Sequence, residues 1–329
     1  MTKKYQPADS FESPRFCGVR TFMRLPYVQT TEDVDFVVLG APFDTAASFR
    51  VGARFGPGAV RDFSILLRPY NPVRKINVFD YLSGVDYGDL SVVPGYIQES
   101  YQKIEEGLLP ILEKGVVPIT IGGDHSITLA ELRAVAKKYG PVGLVHFDAH
   151  SDTWDSYFGQ KYNHGTPFRR AYEEGLLDTS RSIQVGMRGG LYEPADLDDA
   201  RKMGFDVVEM HEVQEMGIPA VIERIRNRVG DGPLFLSFDI DFIDPAYAPG
   251  TGTPEVAGAT TTEALQLVRG LEGLNFVAFD LVEVLPSFDH GQITANAASN
   301  VIFEFITHLA LKKKAEKEAV AHTQNMQSR

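Results

Sequence analysis

Residues that staple or plate small scaffolds are nearly absent from this chain. Its 329 residues contain one cysteine, Cys17, which excludes an internal disulfide and any zinc site built on several thiolates. Basic residues are in the minority: 32 Lys and Arg face 44 Asp and Glu, for a net charge of −12. That balance disfavours a protein that holds nucleic acid by neutralising phosphates, so no nucleic-acid partner is expected. No apolar run approaches the roughly 20 residues of a membrane span, and no membrane partner is expected. The opening MTKKYQPADSFESPRF carries lysines without the apolar stretch of a secretory leader. The expected location is cytoplasmic. No repeat, low-complexity tract or linker divides the chain. It reads as a single domain, 1–329, with an N-terminal segment at 1–32 and a charged tail at 311–329 whose best reading is a solvated helix end.

Apolar material is plentiful, at 43% of residues, and it comes in short runs rich in Val, Ile, Leu and Phe. These are VDFVVLG (34–40), GVVPITIGG (115–123), PVGLVHFDAH (141–150), RSIQVGM (181–187), FDVVEM (205–210), PLFLSFDID (233–241) and NFVAFDLVEV (275–284). Near-continuous apolarity marks strands covered on both faces, as in parallel sheets. Helix-compatible stretches lie between them, among them 96–114, 126–139, 217–229 and 261–272. Alternating strands and helices predict an α/β fold with helices on both sides of the sheet.

Several of these runs end in residues that bind metals. GGDHS supplies His125, DAHSD supplies Asp148, His150 and Asp152, SFDID supplies Asp239 and Asp241, and the last run ends at Glu283. Residues two apart in extended chain share a face, so each array converges on one point. In open α/β sheets that point, beyond the carboxyl ends of the strands, is where ligands bind. A single Asp-x-Asp at a strand end commonly serves as a turn or a helix cap; three metal-competent arrays at three strand ends need another explanation. Four carboxylates cannot share a dry interior without cations, and two divalent ions would balance Asp148, Asp152, Asp239 and Asp241. Oxygen-rich ligation with imidazole suits Mn²⁺, with Zn²⁺, Ni²⁺, Co²⁺ or Fe²⁺ as alternatives.

At these residues the sequence resembles the ureohydrolases: arginases, agmatinases and guanidino-acid hydrolases. The motifs are GGDHS at 122–126, DAHSD at 148–152, NHGTPFRRA at 163–171, SFDIDFIDPAYAPGTGTPE at 237–255 and DLVEVLP at 280–286. The resemblance runs from about Pro14 to about Leu309. It implies a three-layer α/β/α arginase-like fold with a mainly parallel eight-stranded sheet, a homo-oligomer (trimer or hexamer), and two Mn²⁺ per subunit. One ion would be held by His125, Asp148, Asp152 and Asp239, the other by His150, Asp148, Asp239 and Asp241. Such a pair lowers the pKa of water and so supplies a nucleophile for a guanidinium carbon; urea forms and an amine leaves. His164 is implied as the proton shuttle and Glu283 as the carboxylate that receives the guanidinium. His146 is a candidate to orient a ligand or simply to pack in its strand, and His290 a candidate for the pocket rim.

Specificity is expected in the 151–164 loop, SDTWDSYFGQKYNH, where Trp154, Tyr157, Phe158 and Asn163 are the candidate substrate contacts. An aromatic wall there shortens the pocket. The DSYFG (155–159) and HGTPFRRAYEEGLLD (164–178) stretches and the early PRFCGVRTFMRLP (14–26) most resemble the bacterial guanidino-acid hydrolases, which implies a small guanidino acid, 3-guanidinopropionate or 4-guanidinobutyrate, as the substrate. Arg15, Arg20 and Arg24 are candidates to meet its carboxylate, directly or across a subunit interface. Agmatine, free guanidine or a biguanide are the alternatives. Two readings of other classes are a one-zinc deacetylase, disfavoured because the ligands suffice for two ions, and a non-enzymatic protein stabilised by metal, disfavoured by the presence of His164 and Glu283.

Overall fold

Each of the seven apolar runs becomes a strand in the structure, a computed structural model that describes residues 4–193 and 195–327, with side chains described to 320 and at 323. In chain order the strands are β1 (Phe36–Ala41), β2 (Tyr70–Asn71), β3 (Ile76–Asn77), β4 (Gly84–Asp89), β5 (Val117–Gly122), β6 (Gly143–Phe147), β7 (Ile183–Met187), β8 (Asp206–Glu209), β9 (Leu234–Asp239) and β10 (Phe276–Val282). The pair β2–β3 forms a small hairpin. The other eight form one sheet in the order β4-β1-β5-β10-β9-β6-β7-β8, and every pairing in it is parallel.

Strand β4 is the element that an apolar pattern does not reveal. Its sequence, GVDYGD, carries two glycines and two aspartates. Buried Asp86 is tolerated because Arg61 donates to both of its carboxylate oxygens, at 2.8 and 3.1 Å, and the Phe22 amide donates at 2.8 Å. A buried charge paired in this way no longer opposes strand formation.

The helices are α1 (Gly56–Ser64), α2 (Ile97–Glu113), α3 (Ile127–Tyr139), α4 (Pro167–Glu173), α5 (Ala195–Lys202), α6 (Met210–Met216), α7 (Ile218–Val229), α8 (Thr261–Gly270) and α9 (Ile293–Gln327). They cover the sheet on both faces. Alternate side chains of one strand enter opposite layers: Phe36 and Val38 join a cluster with residues of α7, α8 and α9, whereas Val37, Leu39 and Ala41 join one with α2 and α3. That is the period-two rule of a strand buried on both sides. The charged tail continues α9, with Lys312 donating to Asn275 Oδ1 at 2.7 Å; side chains at 321, 322 and 324–329, His322 included, lie outside the described residues. No described helix is long and apolar enough to cross a membrane.

The strand order places the site. Strands β5 and β6 are neighbours in sequence, yet β10 and β9 lie between them in the sheet. The chain therefore changes direction there, and loops leaving the carboxyl ends of β5, β10, β9 and β6 surround a crevice.

Candidate active site

Those four loops carry the metal-competent residues. His125 follows β5, Asp148 and His150 follow β6, Asp239 ends β9 and Asp241 lies two residues on, and Glu283 follows β10. The chain is shaped locally to aim them. Gly123 lets the β5 turn pass close to the β1 loop, since a Cβ there would fall 2.7 Å from Ala41 O and closer still to Phe43 O. Asp148 Oδ1 accepts the His150 amide at 2.6 Å, Asp239 Oδ1 the Asp241 amide at 2.8 Å, and Asp241 Oδ1 the Ala149 amide at 3.0 Å. Asp152 and Glu283 hold left-handed backbone, with φ of 50° and 62°. Such non-glycine conformations cost about 1–3 kcal/mol and gather at functional sites.

Two clusters result. His125 Nδ1 lies 3.0 Å from Asp148 Oδ2, 2.9 Å from Asp152 Oδ2 and 3.4 Å from Asp239 Oδ2. His150 Nδ1 lies 3.4 Å from Asp148 Oδ1 and 3.1 Å from Asp241 Oδ2. Asp148 thus turns one oxygen to each cluster. Asp239 turns Oδ2 to the first, its other oxygen being held by the Asp241 amide. The residues present fit two cations. His125 Nδ1 and Asp241 Oδ2, one in each cluster, are buried polar atoms that make no hydrogen bond. Ligand atoms around one octahedral ion stand about 3 Å apart, close to the separations above.

The electrostatics carry the same message. Burial, and then the charges of Asp241 and Asp148, push the Asp239 carboxyl well above its ordinary range, and burial and Asp148 push Asp241 up. Burial opposes charge on His125 and His150, but the surrounding carboxylates outweigh it and hold both well above an ordinary histidine. The Asp148 carboxyl lies well below its usual range: burial works against this, and the histidines at positions 146, 125 and 150 overcome it. These are the shifts of carboxylates crowded together with two imidazoles, a crowding that bound cations would relieve.

Beside the clusters stands a second pair. His164 Nδ1 lies 3.0 Å from Glu283 Oε1, and the Ser48 amide lies 3.0 Å from His164 Nε2. In the neutral ring Nε2 accepts from that amide and the proton sits on Nδ1, shared with Glu283; in the cation Nε2 carries a second proton and faces Ser48 Oγ at 2.7 Å. Although it lies in a loop, the His164 side chain is only 12% exposed. Burial lowers its basicity, Glu283 more than restores it, and its pKa is raised to about 9. Glu283 Oε1 also accepts the His125 amide at 3.0 Å, while Oε2 is buried without a partner. A Cβ on Gly252 would come within 3.0 Å of Oε2, so the glycine leaves room there.

A cleft of about 190 Å³ opens over this centre. Trp154 and Tyr157 line it, stacked with ring centroids 4.9 Å apart. Phe158 is 80% exposed and Asn163 is turned into its own loop, accepting the Gly165 amide and donating to Gln160 O; neither lines the cleft. Sequence reasoning missed Ser48, Tyr192 and Glu255, which do line it. Tyr192 follows the carboxyl end of β7, the one signal that could have found it; Ser48 sits in a loop without a motif. Arg15, bonded to Leu66 O, Arg20, near Asp62, and Arg24, bonded to Ser13 O, are not among the cleft residues, nor is exposed His290.

Comparison with known proteins agrees with this geometry. Residues 34–308 match the model of the arginase family. The chain belongs to that family. It is 45% identical to the guanidinobutyrase of Pseudomonas aeruginosa over 92% of this chain and 96% of that one, and 46% identical to the guanidinopropionase of the same organism over 93% and 96%. Among solved structures, the proclavaminate amidinohydrolase of Streptomyces clavuligerus superposes with a TM-score of 0.88 at 42% identity, covering 91% of this chain and all of that one. The eight-stranded parallel sheet flanked by helices is the arginase-like fold, and the protein is an arginase-family hydrolase acting on guanidino groups, a family that implies a binuclear metal centre.

Proposed function

We propose that the chain is a manganese amidinohydrolase releasing urea from a small guanidino acid, 3-guanidinopropionate or 4-guanidinobutyrate. The observation that carries the reading is the His164–Glu283 pair standing beside two histidine–carboxylate clusters in one crevice. His125, Asp148, Asp152 and Asp239 would hold one ion, and His150, Asp148, Asp239 and Asp241 the other. When bound, the ions supply an activated water nucleophile. Manganese is favoured by the oxygen-rich ligand set, and a solved relative, a Trypanosoma cruzi formiminoglutamase of 25% identity, was described with Mn²⁺.

The remaining work falls to the chain. Glu283 Oε2, unpartnered and beside the gap at Gly252, receives the cationic guanidinium. His164, held by Ser48 and Glu283, delivers a proton to the departing amine. Trp154 and Tyr157 close the cleft around a short tail. A second reading, an amine-tailed substrate such as agmatine, is favoured by Asp196 and Glu255, acidic residues in the cleft lining, where the guanidinium of Arg188 is spent on backbone carbonyls. A homo-oligomer in the cytoplasm completes the proposal; exposed Phe49, Val51 and Phe55 near the crevice suit a subunit contact. Urea release by the Mn²⁺-loaded protein against 3-guanidinopropionate, 4-guanidinobutyrate, agmatine, arginine and guanidine tests it. Preference for one guanidino acid supports the first reading, preference for agmatine replaces it with the second, and silence with every divalent metal refutes both.

A further inference from the structure

Behind the metal ligands, one row of polar side chains crosses the sheet. Register pairs Gln184 of β7 with His146 of β6, His146 with Ser237 of β9, Ser237 with Asp280 of β10, and Asp280 with Thr120 of β5. All five are buried, and Thr128 of α3, also buried, donates to Asp280 Oδ2 at 2.6 Å. Ser237 Oγ meets His125 Nε2 at 2.8 Å. The other end of the row reaches Asp148.

The hydrogen-bond logic at that end has one solution. Gln184 Nε2 lies 2.6 Å from Ser151 O and 3.0 Å from His146 Nδ1. Ser151 O can only accept, so the amide nitrogen must face it, and its second hydrogen points at His146 Nδ1. His146 Nδ1 therefore accepts, and the ring carries its proton on Nε2. That proton is donated to Asp148 Oδ2, 2.8 Å away. Oδ2 is also the oxygen facing His125. By position alone His125, His146 and Asp148 could hold a metal ion, but a ring nitrogen that bears a proton has no lone pair for one.

We infer that Gln184 and His146 form a positioning relay for the binuclear centre. The relay keeps His146 out of the ligand set and fixes the Asp148 carboxylate so that it offers Oδ2 to the ion at His125 and Oδ1 to the ion at His150. It rests on the two-ion reading above. The two positions then depend on it unequally. Oδ1 has its own anchor in the His150 amide, whereas the donor that orients Oδ2 is His146.

The test counts metal, without reference to turnover. Mn²⁺-loaded protein is equilibrated against graded chelator, and retained ions per chain are measured with the electron-spin spectrum that separates coupled from isolated Mn²⁺. In His146→Leu one ion is expected to leave at 10- to 100-fold lower chelator strength than in the wild type, the range for loss of a group that orients a ligand. The second should be retained, and the coupled spectrum should give way to an isolated one. His146→Gln, which returns an amide donor near the Nε2 position, should restore the ion that His146→Leu loses. Gln184→Leu should act in the same direction; it decides the matter should thermal unfolding show that His146→Leu fails to fold. A folded His146→Leu that holds both ions as the wild type does, or loses both together, overturns the relay alone. A wild-type chain that binds one ion overturns the two-ion reading and the relay with it.

Discussion

Replacing Glu283 by Gln separates the two demands placed on this residue. Oε1 accepts the His125 amide and the His164 ring, both at 3.0 Å, and an amide oxygen can accept both. Oε2, which has no partner, becomes an NH₂ group that meets a guanidinium donor to donor. Two charge-assisted hydrogen bonds at about 1.5–3 kcal/mol each are then lost, in all about 3–6 kcal/mol. At about 1.4 kcal/mol per decade, kcat/KM falls roughly 10²- to 10⁴-fold. Stability should change little, because loss of the ion pair with His164 is offset by relief of a repulsion. Burial, and then the Glu283 charge, raise the pKa of nearby Asp124 to about 7, and the neutral side chain removes that repulsion. Expected, therefore, are a large loss in steady-state urea release, unchanged metal content and a melting temperature close to the wild type. Kinetics within tenfold of wild type would refute the role of Oε2 in substrate binding. A collapse in melting temperature would make Glu283 a structural residue.

Asp239→Ala should lose metal and activity together, because Oδ2 serves the His125 cluster and Oδ1 anchors the Asp241 amide; elemental analysis showing a full complement of ions would contradict the ligand assignment. His164→Asn should keep the ions and lose roughly 10²- to 10⁴-fold in kcat, the usual worth of a positioned proton donor, as read from turnover at saturating substrate. Stability should weaken in acid through His308, remote from the site. Burial lowers its pKa from 6.5 to about 4, and Nε2 lies 2.8 Å from Val268 O while Nδ1 is buried without a partner. The unfolded chain binds the extra proton, so the contribution is complete above pH 6.5 and is lost as pH falls towards 4, amounting to about 3 kcal/mol. Urea denaturation of wild type and His308→Leu across that range should show the acid slope reduced in the variant.

The metal-competent residues were legible in the sequence because each lies at, or within five residues of, the carboxyl end of an apolar strand. Strand geometry then does the rest: a β-strand sends its carboxyl end to one edge of the sheet whatever the helices do. The strand order that joins four such ends was not legible, since nothing in the residues of β5 and β6 states that β10 and β9 come between them. Strand β4 was hidden for a different reason. Its Asp86 is made compatible with burial by Arg61, which is remote in sequence, and a local pattern cannot register such a partner.

The misplaced substrate contacts show what composition omits. The 151–164 loop is rich in aromatics, but richness carries no direction. Phe158 adopts φ of 51° and leaves the cleft, while its neighbour Tyr157 stacks on Trp154 within it. Asn163 is consumed by the turn that presents His164. Conversely, Gln184 reads as one polar residue in the strand RSIQVGM, and only the register with His146 and the carbonyl of Ser151 gives its amide a task. A metal centre is thus announced by its ligands and completed by residues whose relevance exists only after folding. This is why variants at His146, which the sequence offered only as an alternative to packing, and at Gln184, which it did not offer at all, discriminate most sharply between a pair of ion sites built by the fold and a mere collection of aspartates.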